Sequence, residues 1–225
     1  MNKKFKSAIN KQIAVIGLGH FGTEMTRELF ENGCEVMAID IVEERTLAVA
    51  EFATHTVVAD ASDEATLKRL GIAAFDAVVI AIGKNMQSSI VCALICKELN
   101  AKNIIAKAQD NRHAKILQKI GINQIVIPEA DSAIRMATTI INPNVYDILE
   151  LEEGYDVAKI EVLPSWVNKS IKELDIRKKY SINVLTVIRQ DNTFVNAIAD
   201  TVFSEQDKII IGGLTEDIKK FIYFV

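Results

Sequence analysis

Apolar and polar positions alternate between two periods over the first two-thirds of the chain. Gln12–Gly17 is a short apolar run closing on glycine, the pattern of a strand buried on both faces. In His20–Asn32 the apolar residues Phe21, Met25, Leu29 and Phe30 form a helical stripe that stops at Gly33. The unit then repeats. Strands are predicted at Glu35–Ile39, Thr56–Ala59, Asp76–Ile82, Asn103–Ala108 and Gln124–Ile127. Helices are predicted at Glu43–Phe52, Asp63–Leu70, Met86–Leu99 and Arg112–Ile120, with Ser62 or Asp63 capping the Asp63–Leu70 helix and Gly71 ending it. Six strands separated by helices predict an α/β fold, a Rossmann-type doubly wound parallel sheet with right-handed crossovers.

The pattern changes near the prolines, which all lie between residues 128 and 164. Pro128 reads as the end of the sixth strand, Pro143 as the stop of a helix over Glu129–Asn142, and Pro164 as the end of a later strand. Beyond them, Val145–Leu151 and Val157–Val162 read as strands joined at Gly154, and Ser170–Tyr180 as one helix. Ser181–Arg189 and Thr193–Val195 flank Asp191-Asn192, a hairpin signal. Lys208–Ile211 reads as a strand and Leu214–Phe224 as a helix. The expected organisation is a first domain over residues 11–128, a connector helix and linker over 129–144, and a small α+β domain over 145–225. A core that small is marginal alone, so docking or dimerisation is expected.

Composition narrows the function classes. The 225 residues are 49% hydrophobic and 25% charged, an ordinary globular balance. The net charge of −4 has no basic excess for nucleic acid, and its distribution is uneven. Residues 1–142 carry 16 basic and 16 acidic side chains, residues 143–225 carry 10 and 14, so the whole imbalance lies in the last third. The segment before Lys11 is basic without a long apolar stretch, so it does not read as a signal peptide. Uncharged runs reach about a dozen residues (Asn85–Cys96), short of a bilayer span. Cys34, Cys92 and Cys96 form no disulfide framework and read as small buried hydrophobes in a reducing cytoplasmic setting.

The strongest chemical signal is Gly17-Leu18-Gly19-His20-Phe21-Gly22, placed between a strand and a helix. Gly17 permits the tight turn, Gly19 lets the backbone approach a diphosphate, and Gly22 allows the helix to pack closely on the strand. Asp40 ends the second strand 21 residues past Gly19, where an acid binds ribose hydroxyls and disfavours a 2′-phosphate. Dinucleotide or adenine-nucleotide binding follows. The remaining strand ends contribute Asp60-Ala61, Ala81-Ile82-Gly83, Lys107 and Glu129 to the same crevice. Asp60 suits either an adenine amino group or a helix cap, and Lys107 either a phosphate or solvent. His20 suits either a phosphate contact or a solvent-facing first helical position. Trp166 reads as a core or interface plug. All three histidines precede residue 143, and neither metal-ligand spacing nor a nucleophile elbow occurs. A nucleotide-sensing module is therefore favoured over the alternative, a small NAD-dependent oxidoreductase, and over a DNA-binding repressor.

The runs Ile13–Gly22, Ala38–Asp40, Ala53–Asp60, Ala81–Gly83, Lys107–Gln109 and Pro128-Glu129 together resemble the regulatory subunits of bacterial Ktr/Trk-type potassium uptake systems. Those proteins carry an RCK (KTN) nucleotide-binding domain and a small RCK C-terminal domain. In the second domain Leu174–Arg177, Lys179-Tyr180 and Glu205–Asp207 match the family pattern. The resemblance implies a cytoplasmic homodimer assembled as an octameric ring on the inner face of the membrane, under a potassium-translocating integral membrane subunit. ATP, ADP or NAD(H) in the crevice would set the ring's shape. Gly17, Gly19, Phe21 and Gly22 would then line the diphosphate, Asp40 hold the ribose, Asp60 with Ala61 meet adenine, and Lys107 lie near the phosphates. Glu129 would stand near the terminal phosphate, where the family can hold a divalent cation between subunits. His20 replaces the family's usual Arg. The loop Asn196–Ala199 lacks the proline that accompanies cyclic di-AMP in the family, leaving Ile176 and Arg177 as the candidates for that ligand.

Overall fold

The computed structural model describes residues 11–122 and 124–224, so the reading of the segment before Lys11 lies outside it. The chain forms two compact units, one up to Ala130 and one from Asp131.

The first unit alternates strand and helix: β1 Gln12–Ile16, α1 His20–Glu31, β2 Glu35–Asp40, α2 Glu43–Ala48, β3 His55–Val58, α3 Glu64–Arg69, β4 Ala77–Ile80, α4 Met86–Glu98, β5 Ile104–Lys107, α5 Asn111–Ile120 and β6 Gln124–Val126. The strands form one parallel sheet in the order β3-β2-β1-β4-β5-β6. Both faces of β1 are buried. Ala14 and Ile16 join one core cluster, while Ile13 and Val15 join the other. Successive side chains of a strand point to opposite faces, so the unbroken apolar run of β1 serves two cores. Winding reverses between β1 and β4, which opens a crevice at the carboxyl ends of these strands.

Local chemistry sets the element ends. The Asp63 carboxylate accepts from the Ala65 and Thr66 N–H groups and caps α3. The predicted helix over Glu43–Phe52 stops at Ala48 and continues as a 3-10 turn over Ala50–Phe52. The Arg27 guanidinium lies 3.9 Å from the Phe52 ring centre and covers that turn. Cys92 and Cys96 are buried, and a Cys96 hydrogen bond together with burial pushes the Cys92 thiol upward, as befits an inert core residue.

Pro128 does more than close β6. It is the first residue of α6, Pro128–Ile141, where a missing N–H costs nothing. This helix begins in the first unit and runs on past Asp131. The second unit continues with β7 Val145–Glu152, β8 Tyr155–Glu161, α7 Ile171–Leu174, α8 Ile176–Tyr180, β9 Asn183–Ile188, β10 Phe194–Asn196, β11 Lys208–Leu214 and α9 Thr215–Phe224. Its antiparallel sheet has the order β10-β9-β11-β8-β7. The single helix predicted over Ser170–Tyr180 is two helices, because Asp175 takes a left-handed conformation at φ +48° between them. Trp166 is a core residue, with ring centres of Phe221, Phe203 and Tyr180 within 5.7–5.9 Å. Ile176 is buried in that core, while Arg177 is exposed.

Candidate functional site

The crevice is built around the β1–α1 turn. Gly17 has φ +95°, and a Cβ there would come within 2.8 Å of the Ile82 nitrogen and 2.9 Å of the Ala81 carbonyl carbon. The turn is thus seated directly on the Ala81-Ile82-Gly83 segment after β4. Gly22 is more tightly constrained, since its Cβ would meet the Gly17 carbonyl oxygen at 1.9 Å. Gly19 differs from both. A Cβ at Gly19 would find nothing of the protein within 4 Å, and its φ of −73° is open to any residue. Packing therefore explains Gly17 and Gly22 but not Gly19, whose bare backbone faces open space.

Helix α1 begins immediately after this open position. Its first intrahelical bond runs from the Thr23 N–H to the Gly19 carbonyl at 2.9 Å. The N–H groups of His20, Phe21 and Gly22 have no intrahelical acceptor, and no side chain caps the helix. Three donors and the positive end of a 12-residue helix are an arrangement that favours an anion. His20 is exposed at the first helical position.

Asp40 at the end of β2 is 5% exposed. Its Oδ2 accepts from the Leu18 N–H at 2.6 Å and its Oδ1 from the Val42 N–H at 2.9 Å. The Arg45 guanidinium approaches Oδ2 at 3.4 Å. The carboxylate thereby ties the glycine turn to β2, while Oδ1 keeps lone-pair capacity for a further donor. The Ala59 N–H donates to the Asp40 carbonyl at 2.9 Å, which sets Asp60 beside it. Asp60 does not cap α3. Its Oδ1 accepts from the Ser62 hydroxyl at 2.6 Å and the Ser62 N–H at 2.9 Å, and these bonds hold the Asp60 carboxyl below the usual range. Ala61 is buried in the core, so only its backbone can serve a ligand.

On the other side of the turn, Lys107 ends β5 with its side chain only 12% exposed. Its ammonium lies 2.5 Å from Glu129 Oε1 and 5.7 Å from the centre of the Phe21 ring. The Lys107 hydrogen bond lowers the pKa of Glu129 from its ordinary value. Gly17, Phe21, Gly22, Ala81, Ile82, Gly83, Lys107 and Glu129 thus form one connected rim, joined to Asp40 through Leu18.

Two contributors escape the sequence reading. Gln109 donates from its side-chain amide to the Gly83 carbonyl, and its own N–H donates to His113 Nδ1 at 3.2 Å. His113 is buried, and burial lowers its pKa, which favours the neutral ring that can accept at Nδ1. The pair fixes the segment on which Gly17 rests. The spacing Lys107-Ala108-Gln109 past a strand end was the available signal, but a bond across 26 residues leaves no local periodicity. Taken together, a helix N-terminus, an unfilled glycine cradle and a buried carboxylate at the second strand end fit a diphosphate flanked by a ribose.

Known proteins resemble this chain in both sequence and fold. Residues 13–128 match the TrkA-N domain and residues 157–224 the TrkA-C domain. The chain is 42% identical over 213 residues to Ktr system potassium uptake protein C of Bacillus subtilis, covering 95% of this chain and 96% of that one. It is 34% identical to Ktr system potassium uptake protein A of Vibrio alginolyticus, covering 91% and 93%. Among solved structures, the GsuK channel superposes with a TM-score of 0.69 at 18% identity, and the GsuK channel bound to NAD with 0.65 at 18%. Each likeness covers 96% of this chain but only 40% of the GsuK chain. Matched by both domains, and over nearly the full length of its Ktr relatives, the chain belongs to the family of regulatory subunits of Ktr/Trk-type potassium uptake systems.

Proposed function

We propose that this chain is a cytoplasmic, nucleotide-responsive regulatory subunit that gates a potassium-translocating membrane subunit, with ATP, ADP or NAD(H) as its ligand. The observation that carries the reading is Gly19, a glycine that no contact within the protein requires, set at the head of α1. In this reading the N–H groups of His20, Phe21 and Gly22 hold the diphosphate, and Asp40 Oδ1 accepts from a ribose hydroxyl. The Asp60-Ala61 backbone meets adenine, and the imidazole of His20 reaches phosphates of its own or a neighbouring subunit. A divalent cation at Glu129 would need the ligand's phosphate oxygens as well, since no group of three or more His, Cys, Asp or Glu side chains gathers among the described residues. The GsuK channel has been solved with NAD, which supports a dinucleotide in this fold. Among the described residues no helix is long and apolar enough to cross a membrane, so membrane attachment is assigned to the partner.

A ligand gates such an assembly only by binding two of its shapes with different affinity. The proposed assembly is a homodimer-based octameric ring. Size-exclusion chromatography with light scattering, run with each nucleotide, is expected to give a ring whose size or shape responds to ligand. A monomer under every condition would overturn the ring. Gly19→Ala is expected to leave the melting temperature unchanged and to weaken nucleotide binding about tenfold or more, because the methyl group occupies the diphosphate's approach. Calorimetric titration checks this, and wild-type affinity in Gly19→Ala would remove the cradle.

A further inference from the structure

We propose that His113 is a positioning residue for the nucleotide crevice and that only its uncharged ring can serve: a proton on the imidazole releases Gln109, and with it the segment beneath the glycine turn. This rests on the nucleotide reading above and adds acid as a regulator of that site.

The connection runs through one residue. The Gln109 N–H, just past β5, donates to His113 Nδ1 at 3.2 Å, while the Gln109 side-chain amide donates to the Gly83 carbonyl. Gly83 follows Ala81 and Ile82, against which Gly17 is seated. At its β4 end this segment is held by the Ala81 N–H, which donates to the Ile16 carbonyl at 2.7 Å. Its tie to α5 is Gln109. The Asp110 Oδ1 accepts from the His113 N–H at 2.8 Å and the Arg112 N–H at 2.9 Å, so the first turn of α5 sets where the ring stands.

The ring can play this part in one protonation state only. As an acceptor Nδ1 must be bare, so the proton of the neutral ring sits on Nε2. Nε2 is buried and has no hydrogen-bond partner among the described residues. A second proton would go to Nδ1, where two N–H donors would then face each other across 3.2 Å with a new charge buried beside them. Little around the ring compensates. On α5 itself the Asp110 carboxylate attracts a proton, while Arg112 and Lys115 are exposed. Helix α4, packed against α5, buries Ser89, Cys92, Ala93, Ile95 and Cys96, and no Asp, Glu, Lys, Arg or His. At the end of β5 Lys107 is matched by Glu129, β6 carries no charged residue, and Lys84 beside Gly83 is exposed. Burial outweighs Asp110, so the ring is neutral at pH 7 and charges only below the ordinary histidine range.

Binding and protonation therefore oppose each other. A nucleotide needs the turn seated on Ala81-Ile82, and a charged ring loosens that seat, so affinity falls as the pH drops through the His113 range. By linkage, bound nucleotide makes the ring harder to protonate by the same factor. Acid acts the other way at His20, where a charged imidazole at the head of α1 draws phosphate in.

Titration calorimetry of ADP and NAD+ on the full chain at pH 7.5 and pH 5.5 tests this, with melting scans at both values confirming a folded chain. Wild type is expected to bind both ligands about fivefold more weakly at pH 5.5, the scale of one lost hydrogen bond. His113→Asn keeps an amide oxygen as acceptor but takes up no proton, and Gln109→Ala removes the link to Gly83. Both variants are expected to lose less than about twofold between the two pH values, whatever their affinity at pH 7.5. Titration of the terminal phosphate of ADP is common to all three proteins and cancels in the comparison. A loss equal to that of wild type in either variant would overturn the proposal, as would no loss in wild type. If His113→Asn fails to melt cooperatively, Gln109→Ala decides alone. Binding of neither ligand to wild type at pH 7.5 would instead strike the nucleotide reading itself.

Discussion

Gly22→Ala is expected to destabilise the first unit by about 3 kcal/mol and to abolish nucleotide binding. The added methyl carbon would fall 1.9 Å from the Gly17 carbonyl oxygen and 3.2 Å from Ala81 Cβ. Neither neighbour is the end of a flexible side chain. Helix α1 must therefore retreat from the turn, and the N–H groups of His20 and Phe21 move with it. Calorimetric melting should show the first unit's transition lowered by about 10 °C while that of the second stays in place. Unchanged melting would mean that α1 can back away from β1 at little cost. The contrast with Gly19→Ala is the informative part. One glycine is demanded by the fold, the other only by a ligand.

Asp40→Ala is expected to weaken nucleotide binding at least about a hundredfold, because two losses combine. The ribose loses its acceptor. The turn also loses its tether, since the Leu18 N–H at 2.6 Å and the Val42 N–H at 2.9 Å no longer have a carboxylate. Leaving the buried Leu18 N–H unpaired should cost about 1–3 kcal/mol of stability on its own. Asp40→Asn keeps one acceptor oxygen and should fall between the two in calorimetric titration. Wild-type affinity in Asp40→Ala would place the ribose elsewhere.

The resemblance of this site to a phosphate-binding turn is legible in the sequence where its parts are close along the chain. Gly17, Gly19 and Gly22 fall within one strand–turn–helix unit, and Asp40 lies a single unit further on. What escapes is tertiary. At a strand end Lys107 suits either a phosphate contact or a solvated charge, and the structure shows it largely buried and paired with Glu129, 22 residues away. Gln109 joins the site only through the Gly83 carbonyl, and no period of the sequence encodes that bond. The same limit appears in the second unit. Ser170–Tyr180 reads as one helix, yet Asp175 turns left-handed and Ser170 with Glu173 closes a capping box on the first half alone. Apolar spacing reports which face is buried. It does not report a single residue of reversed handedness.

The charge of the second unit also gains meaning from the structure. The acidic balance of residues 143–225 includes Asp207, which is buried against Arg189 and accepts the Ser204 N–H at 2.7 Å. Asp156 is likewise buried and accepts from the Thr215 hydroxyl at 2.8 Å at the start of α9. Part of the negative surplus is thus structural rather than displayed.

The proposed nucleotide site, built on the glycine turn and Asp40, stands or falls on titration calorimetry of the purified full chain with ATP, ADP and NADH. Saturable binding in the micromolar range by at least one of them, lost in Asp40→Ala, is the predicted result. No heat of binding from any of the three, with a chain that melts cooperatively, would contradict it.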